Sequence, residues 1–134
     1  MNNTPLIVVS LDALGYVDED IYSKLPFLSK MIEKGSWIRR MESIYPTLTY
    51  PIHSTIVTGR YPIDHGVDNN LLVQAEREVM DWYWDHDYIS GDTIFRNAHK
   101  KGYTISSFSW PVSGGLDIEY NVPEVWTYEE KDFY

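Results

Sequence analysis

The sequence predicts an α/β fold in which a mainly parallel sheet is flanked by helices. Strand-like and helix-like segments alternate along the chain, which is the order that right-handed strand–helix–strand crossovers produce. The first apolar run, Leu6–Leu11, is short and rich in β-branched residues, as is typical of a strand buried on both faces. With 134 residues, of which 43% are hydrophobic, the chain is long enough for one domain with a core.

The first half of the predicted fold is a strand, a helix and a second strand. Leu6–Leu11 is predicted to be a strand that ends at Asp12. The helix begins near Pro26 and stops at Gly35, because proline suits a first helical turn and glycine a C-terminal stop. The second strand is expected within residues 36–44, where apolar and polar side chains alternate in part.

A second helix is predicted over Tyr50–Thr58, because Ile52 and Ile56 lie one turn apart and Gly59 follows as a stop. Residues 60–70 are expected to form a loop, since proline, glycine and two asparagines occur in them. This helix therefore stands between two irregular segments.

The last third of the chain is predicted less regularly. Leu71–Val79 fits either a strand or a helix. A third helix is expected over Thr93–Lys101 and a third strand over Tyr103–Phe108, whereas the chain beyond Trp110 reads as irregular. No closing strand is evident from Trp126 onward, so we expect the domain to be incomplete at its C-terminus.

Composition and charge exclude several classes of function. The formal net charge of −9 argues against a protein that binds nucleic-acid backbones, because such proteins need a basic face. There are no cysteines, which excludes thiolate metal sites and a cysteine nucleophile. The first residues lack the basic start of a signal peptide, and no apolar run approaches a membrane span, so we expect a cytoplasmic protein with no membrane segment.

Three polar residues are candidates for chemistry, and each has a simpler structural interpretation. Asp12 follows a predicted strand, at the sheet edge where α/β proteins bind ligands, and its carboxylate could bind a divalent cation or merely form a turn. Thr49 precedes a helix, where backbone N–H groups and the dipole favour phosphate, or where it is only a cap. Asn70 could donate to a phosphate oxygen or occupy a turn.

Together these residues resemble the type I phosphodiesterase/nucleotide pyrophosphatase family of the alkaline phosphatase superfamily. That family has a strand ending in aspartate, a Thr-x-Thr-aromatic-Pro-Asn-His run, a Thr-Gly-x-x-Pro turn, and His-Gly followed by asparagine. The corresponding segments here are Leu6–Asp12, Thr47–His53, Thr58–Pro62 and His65–Asn70. Later landmarks also match, and they are Trp84-Asp85, the segment Ile89–Ile94 and Trp110-Pro111.

The resemblance implies a partial alkaline-phosphatase-like fold, with residues 1–134 as the N-terminal part of one catalytic domain. It implies hydrolysis of phosphodiester or nucleotide pyrophosphate bonds with two divalent metal ions, usually zinc. Asp12 would bind one metal. Thr49 would bind the same metal and attack phosphorus to give a phosphothreonine, and Asn70 would hold a non-bridging oxygen. The partner would be a small phosphate ester or nucleotide.

The sequence departs from the family pattern in two ways. The asparagine that precedes histidine in the family run is Ile52 here. The family's remaining Asp and His ligands have no counterpart after Asn70, since neither His86 nor His99 has the spacing of a metal ligand. His53 and His65, which lie inside the motifs, are interpreted as structural. The chain alone is therefore expected to be inactive.

Other functions stay open on the sequence alone. The same superfamily contains phosphomonoesterases, phosphonate hydrolases and phosphate mutases, although an asparagine donor favours a phosphodiester. A different class is a non-catalytic fragment that binds an anion or a protein partner. A partial sheet would also expose an unpaired edge and apolar faces, so self-association of the fragment is expected.

Overall fold

The structure is a computed structural model that describes residues 4–124. The chain divides into two compact units, Met1–Glu42 and Ser43–Tyr134, and each is described by itself below. The described residues combine helices with a small parallel sheet. This confirms the α/β class and is consistent with a partial alkaline-phosphatase-like fold. None of the helices in residues 4–124 is long and apolar enough to cross a membrane.

The first unit is built around two helices. A 3₁₀ turn at Tyr16–Asp18 leads directly into α1 (Glu19–Tyr22), and α2 spans Pro26–Lys34. Pro26 occupies the first helical position of α2 and Gly35 caps its end, where its N–H donates to the carbonyl of Met31 at 2.8 Å. The predicted helix is therefore confirmed with both of its boundary signals.

The two strands predicted in the first unit are absent, and this part of the prediction is wrong. Neither Leu6–Leu11 nor residues 36–44 belong to a strand, because the sheet of the described residues contains two later segments only. The apolar side chains are exposed, with Ile7 at 79%, Ile38 at 75% and Met41 at 82%. An apolar run indicates that a segment tends to be buried. A strand also requires a second strand beside it that supplies the backbone hydrogen bonds of the sheet.

Over its described residues, 43–124, the second unit contains three α-helices, a 3₁₀ turn at His86–Tyr88 and the sheet. The helices are α3 (Thr49–Thr58), α4 (Pro62–His65) and α5 (Ile94–Lys100). Strands β1 (Ser106–Phe108) and β2 (Tyr120–Val122) pair in parallel. Helices α3 and α5 match their predicted positions to within one residue, and the shorter helix α4 lies inside the segment that was predicted to be a loop.

The sheet differs from its prediction in extent. The strand expected over Tyr103–Phe108 is confirmed only for its last three residues. Strand β2 lies in the part beyond Trp110 that was predicted to be irregular, because three residues carry too little periodicity to be recognised. In Leu71–Val79 only Leu71 pairs, in an isolated antiparallel bridge with Trp82. The expected open end from Trp126 onward lies outside the described residues.

The core of the second unit lies against one face of α3. Tyr50 and Val57, two turns apart on that helix, are buried with residues from three other segments. Partly buried aromatic rings pack against the edge of this cluster. The other members of the core are Val67, Ile89 and Val112, and the bordering rings are Trp82, Tyr83, Trp84, Phe95 and Trp110. This packing fixes the N-terminus of α3, where the predicted nucleophile lies.

Candidate active site

Thr49 is the first residue of α3, as the sequence predicted for a nucleophile at a helix N-terminus. The residue before it, Leu48, has no side-chain oxygen and makes no side-chain cap. Pro51 contributes no N–H to the first turn. The first N–H groups of α3 therefore have no acceptor from the side chain that precedes the helix.

Asn70 supplies an acceptor from elsewhere in the chain. Its Oδ1 accepts a hydrogen bond from the backbone N–H of Tyr50 at 3.0 Å, so the amide caps α3 from 20 residues further along the chain. The structure therefore brings together Thr49 and Asn70, two of the predicted site residues. It also corrects one expectation, since the N–H of Tyr50 is bound to Asn70 and is not available to a phosphate.

The loop that carries Asn70 is fixed at both ends. At its start, His65 is fully buried, and its Nδ1 accepts a hydrogen bond from the N–H of Val67 at 3.2 Å. The other ring nitrogen of His65, Nε2, lies 3.0 Å from Oγ1 of Thr55 on α3. At its end, the carbonyl of Asn70 accepts from the N–H of Tyr83 at 3.0 Å. His65 is structural, as predicted.

His53 lies one turn into α3 and contacts the backbone of Thr49. Its Nδ1 donates to the carbonyl oxygen of Thr49 at 2.7 Å, which places the imidazole proton on Nδ1. The His53 side chain is nearly buried, and its ring packs edge-on against that of Trp110 at 5.0 Å between centroids. Trp110 follows β1, so this end of α3 lies near the carboxyl end of a parallel strand, where α/β proteins bind ligands.

Tyr50 anchors the first turn of α3 in the core. Its ring is 1% exposed and packs against the rings of Trp82 and Trp84, with centroids 5.3 and 6.3 Å away. Burial, together with the nearby Glu124 carboxylate, raises the pKa of the Tyr50 hydroxyl far above its ordinary value. Tyr50 therefore stays neutral and serves as a packing residue behind the predicted nucleophile.

The two histidines outside the motifs, His86 and His99, belong to no group of three or more potential metal ligands within residues 4–124. His86 is 2% exposed, and its Nδ1 donates to the carbonyl of Val112 at 3.0 Å, so it is a core residue. Burial lowers the pKa of His86. His99 is on the surface, 3.4 Å from the carboxylate of Glu119. His86 thus lies in the core, and His99 faces a carboxylate on the surface.

Asp12 lies in the first unit, in the turn that follows Leu6–Leu11. Its Oδ1 accepts a hydrogen bond from the N–H of Ala13 at 3.0 Å, which is the turn-forming role that the sequence allowed. Within residues 4–124, no group of three or more His, Asp or Glu side chains could hold a metal ion. The assignment of Asp12 and Thr49 as ligands of one metal therefore stays a prediction.

Two features of this site were not foreseen from the sequence. One is the cap that Asn70 provides to α3, because a cap 20 residues away leaves no local signal. The other is the contact of His53 with Thr49, although the spacing of four residues on a helix puts the two on one face and could have indicated it.

Comparison with known proteins identifies the family. The family model described as type I phosphodiesterase/nucleotide pyrophosphatase matches residues 6–133. Human ectonucleotide pyrophosphatase/phosphodiesterase family member 1 is 33% identical over 131 residues, covering 87% of this chain and 13% of its own length. The rat family member 3 is 33% identical over 129 residues, covering 87% of this chain and 14% of its own length.

A venom enzyme belongs to the same set of relatives. Venom phosphodiesterase 2 of Crotalus adamanteus is 31% identical over 131 residues, which cover 88% of this chain and 15% of the venom protein. The chain thus spans about a seventh of the length of the curated relatives that it matches. The family match covers nearly the whole chain and includes Thr49 and Asn70. The chain belongs to the type I phosphodiesterase/nucleotide pyrophosphatase family.

Proposed function

We propose that this chain carries the nucleophile half of the active site of a metal-dependent hydrolase of phosphodiester or nucleotide pyrophosphate bonds. Thr49 is the nucleophile and Asn70 the donor to a phosphoryl oxygen. The observation that supports this most directly is the docking of the Asn70 amide on the first turn of the helix that begins at Thr49. Membership of the family, whose members include phosphodiesterases and nucleotide pyrophosphatases, supports the reaction class.

In the proposed reaction, Oγ1 of Thr49 attacks phosphorus and loses its proton. A bond forms between that oxygen and phosphorus, and the bond from phosphorus to the leaving oxygen breaks. Water then hydrolyses the phosphothreonine. Because Oδ1 of Asn70 accepts from the N–H of Tyr50, the Nδ2 group of the same amide is the part that can donate to a non-bridging oxygen. The positive end of the α3 dipole adds to this stabilisation.

The metal ions belong to the proposal. A divalent metal, when bound, lowers the pKa of a coordinated hydroxyl, which is the activation that a threonine nucleophile needs. We assign Asp12 and Thr49 as ligands of one of two divalent ions, with zinc as the metal that the resemblance implies. Two oxygen donors cannot complete a four-coordinate zinc site, and no cluster in residues 4–124 supplies the rest. The remaining ligands would come from a longer catalytic domain.

The proposal is tested on the 134-residue chain and on the full-length protein, with zinc or manganese added. We expect the full-length protein to hydrolyse bis-p-nitrophenyl phosphate faster than p-nitrophenyl phosphate, and the chain alone to show only a trace rate. Thr49→Ala should lower kcat by on the order of 10³-fold or more, because the covalent step is lost, whereas Thr49→Ser keeps a hydroxyl and part of the activity.

Three results would contradict parts of the proposal. Robust turnover by the 134-residue chain would contradict the proposal that it carries only half of the active site. Full activity of Thr49→Ala would contradict the assignment of Thr49 as the nucleophile. A preference for the monoester would favour a phosphomonoesterase of the same superfamily.

A further inference from the structure

We propose that His53 is a positioning residue for the nucleophile: its imidazole and the Asn70 amide together hold the peptide group that joins Thr49 to Tyr50. The inference rests on the proposed function in one respect, namely that Thr49 is the nucleophile. The hydrogen bonds themselves are features of the fold and do not depend on any activity. His53 neither reacts nor contacts a substrate in this proposal.

The peptide group between Thr49 and Tyr50 is bound at both ends by side chains. Its carbonyl oxygen accepts from Nδ1 of His53 at 2.7 Å, and its N–H donates to Oδ1 of Asn70 at 3.0 Å. A peptide group is planar, so two hydrogen bonds at opposite edges fix its rotation about the chain axis. The backbone on the C-terminal side of the nucleophile is thereby held in one orientation.

A fixed peptide plane also limits where the hydroxyl can point. Thr49 is β-branched, so its side chain adopts few rotamers, and each sets Oγ1 at a defined angle to the adjoining peptide group. The same amide of Asn70 that binds this peptide also provides the proposed phosphoryl donor. The direction of Oγ1 relative to that donor therefore depends on both hydrogen bonds, and a shift of about 1 Å at a reacting atom can cost on the order of 10²-fold in rate.

The His53 ring is itself held in place. It is 6% exposed, and the edge-on contact with Trp110 ties it to the segment that follows β1. The His53–Thr49 bond thus connects the first turn of α3 to the sheet. A histidine needed only to fill space could be replaced by an apolar residue of similar size. A histidine that positions the backbone could not, because the apolar residue has no N–H donor.

Two variants distinguish these roles. His53→Asn retains an N–H donor the same number of bonds from Cα as Nδ1, whereas His53→Leu fills similar space without a donor. In the full-length protein we expect His53→Leu to lower kcat for bis-p-nitrophenyl phosphate by about 10- to 100-fold. The KM should stay within about twofold of wild type, because ground-state binding is not altered. His53→Asn should recover most of the lost kcat.

A second measurement does not require activity. In the wild-type 134-residue chain, nitrogen NMR of the imidazole should show the proton of His53 on Nδ1. The N–H of Tyr50 should exchange slowly with solvent, and faster in His53→Leu than in His53→Asn. A proton on Nε2 of His53, instead of Nδ1, would overturn the positioning role. An equal exchange rate of the Tyr50 N–H in the two variants would overturn it as well.

The activity data separate this proposal from the one on which it rests. Equal kcat for His53→Leu and wild type overturns the positioning role, as does an equal loss in His53→Leu and His53→Asn. Full activity of Thr49→Ala overturns the proposed function, and with it the role of His53 in positioning a nucleophile, while the exchange rates of the Tyr50 N–H are unaffected by that outcome.

Discussion

At the scale of single residues, the proposed function gives Asn70 two roles, one for each end of its amide. Oδ1 caps α3 through the N–H of Tyr50, and Nδ2 is the proposed phosphoryl donor. A residue whose only role was catalytic would affect rate without affecting stability, whereas a cap affects stability as well. The two ends of the Asn70 amide can be separated by substitution.

We predict that Asn70→Ala lowers the free energy of unfolding by about 1–2 kcal/mol, as the loss of an N-cap does, and also lowers kcat. Asn70→Asp keeps the acceptor and places a negative charge at a helix N-terminus, so it should restore most of the stability. It loses the donor and repels phosphate, so it should not restore activity. Denaturant unfolding of the chain and kcat of the full-length protein measure the two effects.

Asn97→Ala is the matched control for that prediction. Asn97 is exposed on α5, and only its backbone takes part in the hydrogen bonds described. The same change there should leave the free energy of unfolding within about 0.5 kcal/mol of wild type. If Asn70→Ala is no more destabilising than Asn97→Ala, the cap contributes nothing.

The proposed site residues differ in how far the sequence could reveal their surroundings. Thr49 and Asn70 stand in motifs with fixed spacing, so their identity was predictable from the order of residues alone. The hydrogen bond from Tyr50 to Asn70 was not, because it depends on the path of the intervening loop, which is set by the contacts of His65 with Thr55 and Val67. Motifs identify residue types, whereas their geometry is fixed by buried contacts that no motif contains.

At the scale of elements, helices were predicted well and strands poorly, for a physical reason. Helix α2 starts at Pro26 and stops at Gly35, and α5 is capped by Thr93, whose Oγ1 accepts from the N–H of Arg96 at 3.3 Å. These signals lie within a few residues of the helix itself. A strand is stabilised by a partner that can be far away in sequence, so the apolar run Leu6–Leu11 resembles a strand without being paired as one.

Two backbone segments of the second unit approach each other closely at Gly114. Its N–H donates to the carbonyl of Trp84 at 2.9 Å, and its own carbonyl accepts from the N–H of His86 at 2.8 Å. A Cβ at this position would lie 2.7 Å from the carbonyl oxygen of Trp84. Glycine is therefore required here for space, since any side chain would push the two segments apart.

We predict that Gly114→Ala destabilises the chain by about 1–3 kcal/mol, as overpacking does. Gly102→Ala is the matched control, because Gly102 has a φ of +78° but nothing within 4 Å of a Cβ. The control should show only the cost of a left-handed alanine, about 1 kcal/mol. Thermal unfolding of both variants is the measurement. A smaller loss at Gly114 than at Gly102 would mean that the two segments can separate at no cost.

At the scale of the whole molecule, surface charge contributes little to stability. Arg39 pairs with Glu19 and Lys100 pairs with Asp92, and the two basic side chains are largely exposed. Exposed ion pairs contribute up to about 1 kcal/mol to stability. Between pH 8 and about pH 5.5, the pH dependence of stability is expected to follow the two histidines whose pKa is lowered in the folded chain, His65 and His86.

Two of the buried histidines, His65 and His86, resist protonation. Burial lowers the pKa of His65, opposed by the neighbouring Asp64 carboxylate, and burial also lowers the pKa of His86, opposed by its bond to the Val112 carbonyl. In the unfolded chain a histidine has a pKa of about 6.5. Below that value the unfolded state binds protons that the folded state does not bind, so stability is full above about pH 6.5 and falls as the pH drops toward the folded-state pKa values.

We therefore predict that the free energy of unfolding decreases from pH 7.5 to pH 5.5, with a slope of at most about 1.4 kcal/mol per pH unit for each proton. Denaturant unfolding followed by tryptophan fluorescence measures it, since Trp82, Trp84 and Trp110 border the core. His65→Gln should be less stable at pH 7.5 but should lose less on acidification, because one of the two protons is no longer taken up. His99→Gln changes an exposed histidine and should retain the decrease in stability on acidification.

Stability that is constant over this range would mean that His65 and His86 accept protons in the folded state as readily as in the unfolded chain. That result would contradict the hydrogen bond from the Val67 N–H to Nδ1 of His65, because a protonated ring has no acceptor at that nitrogen.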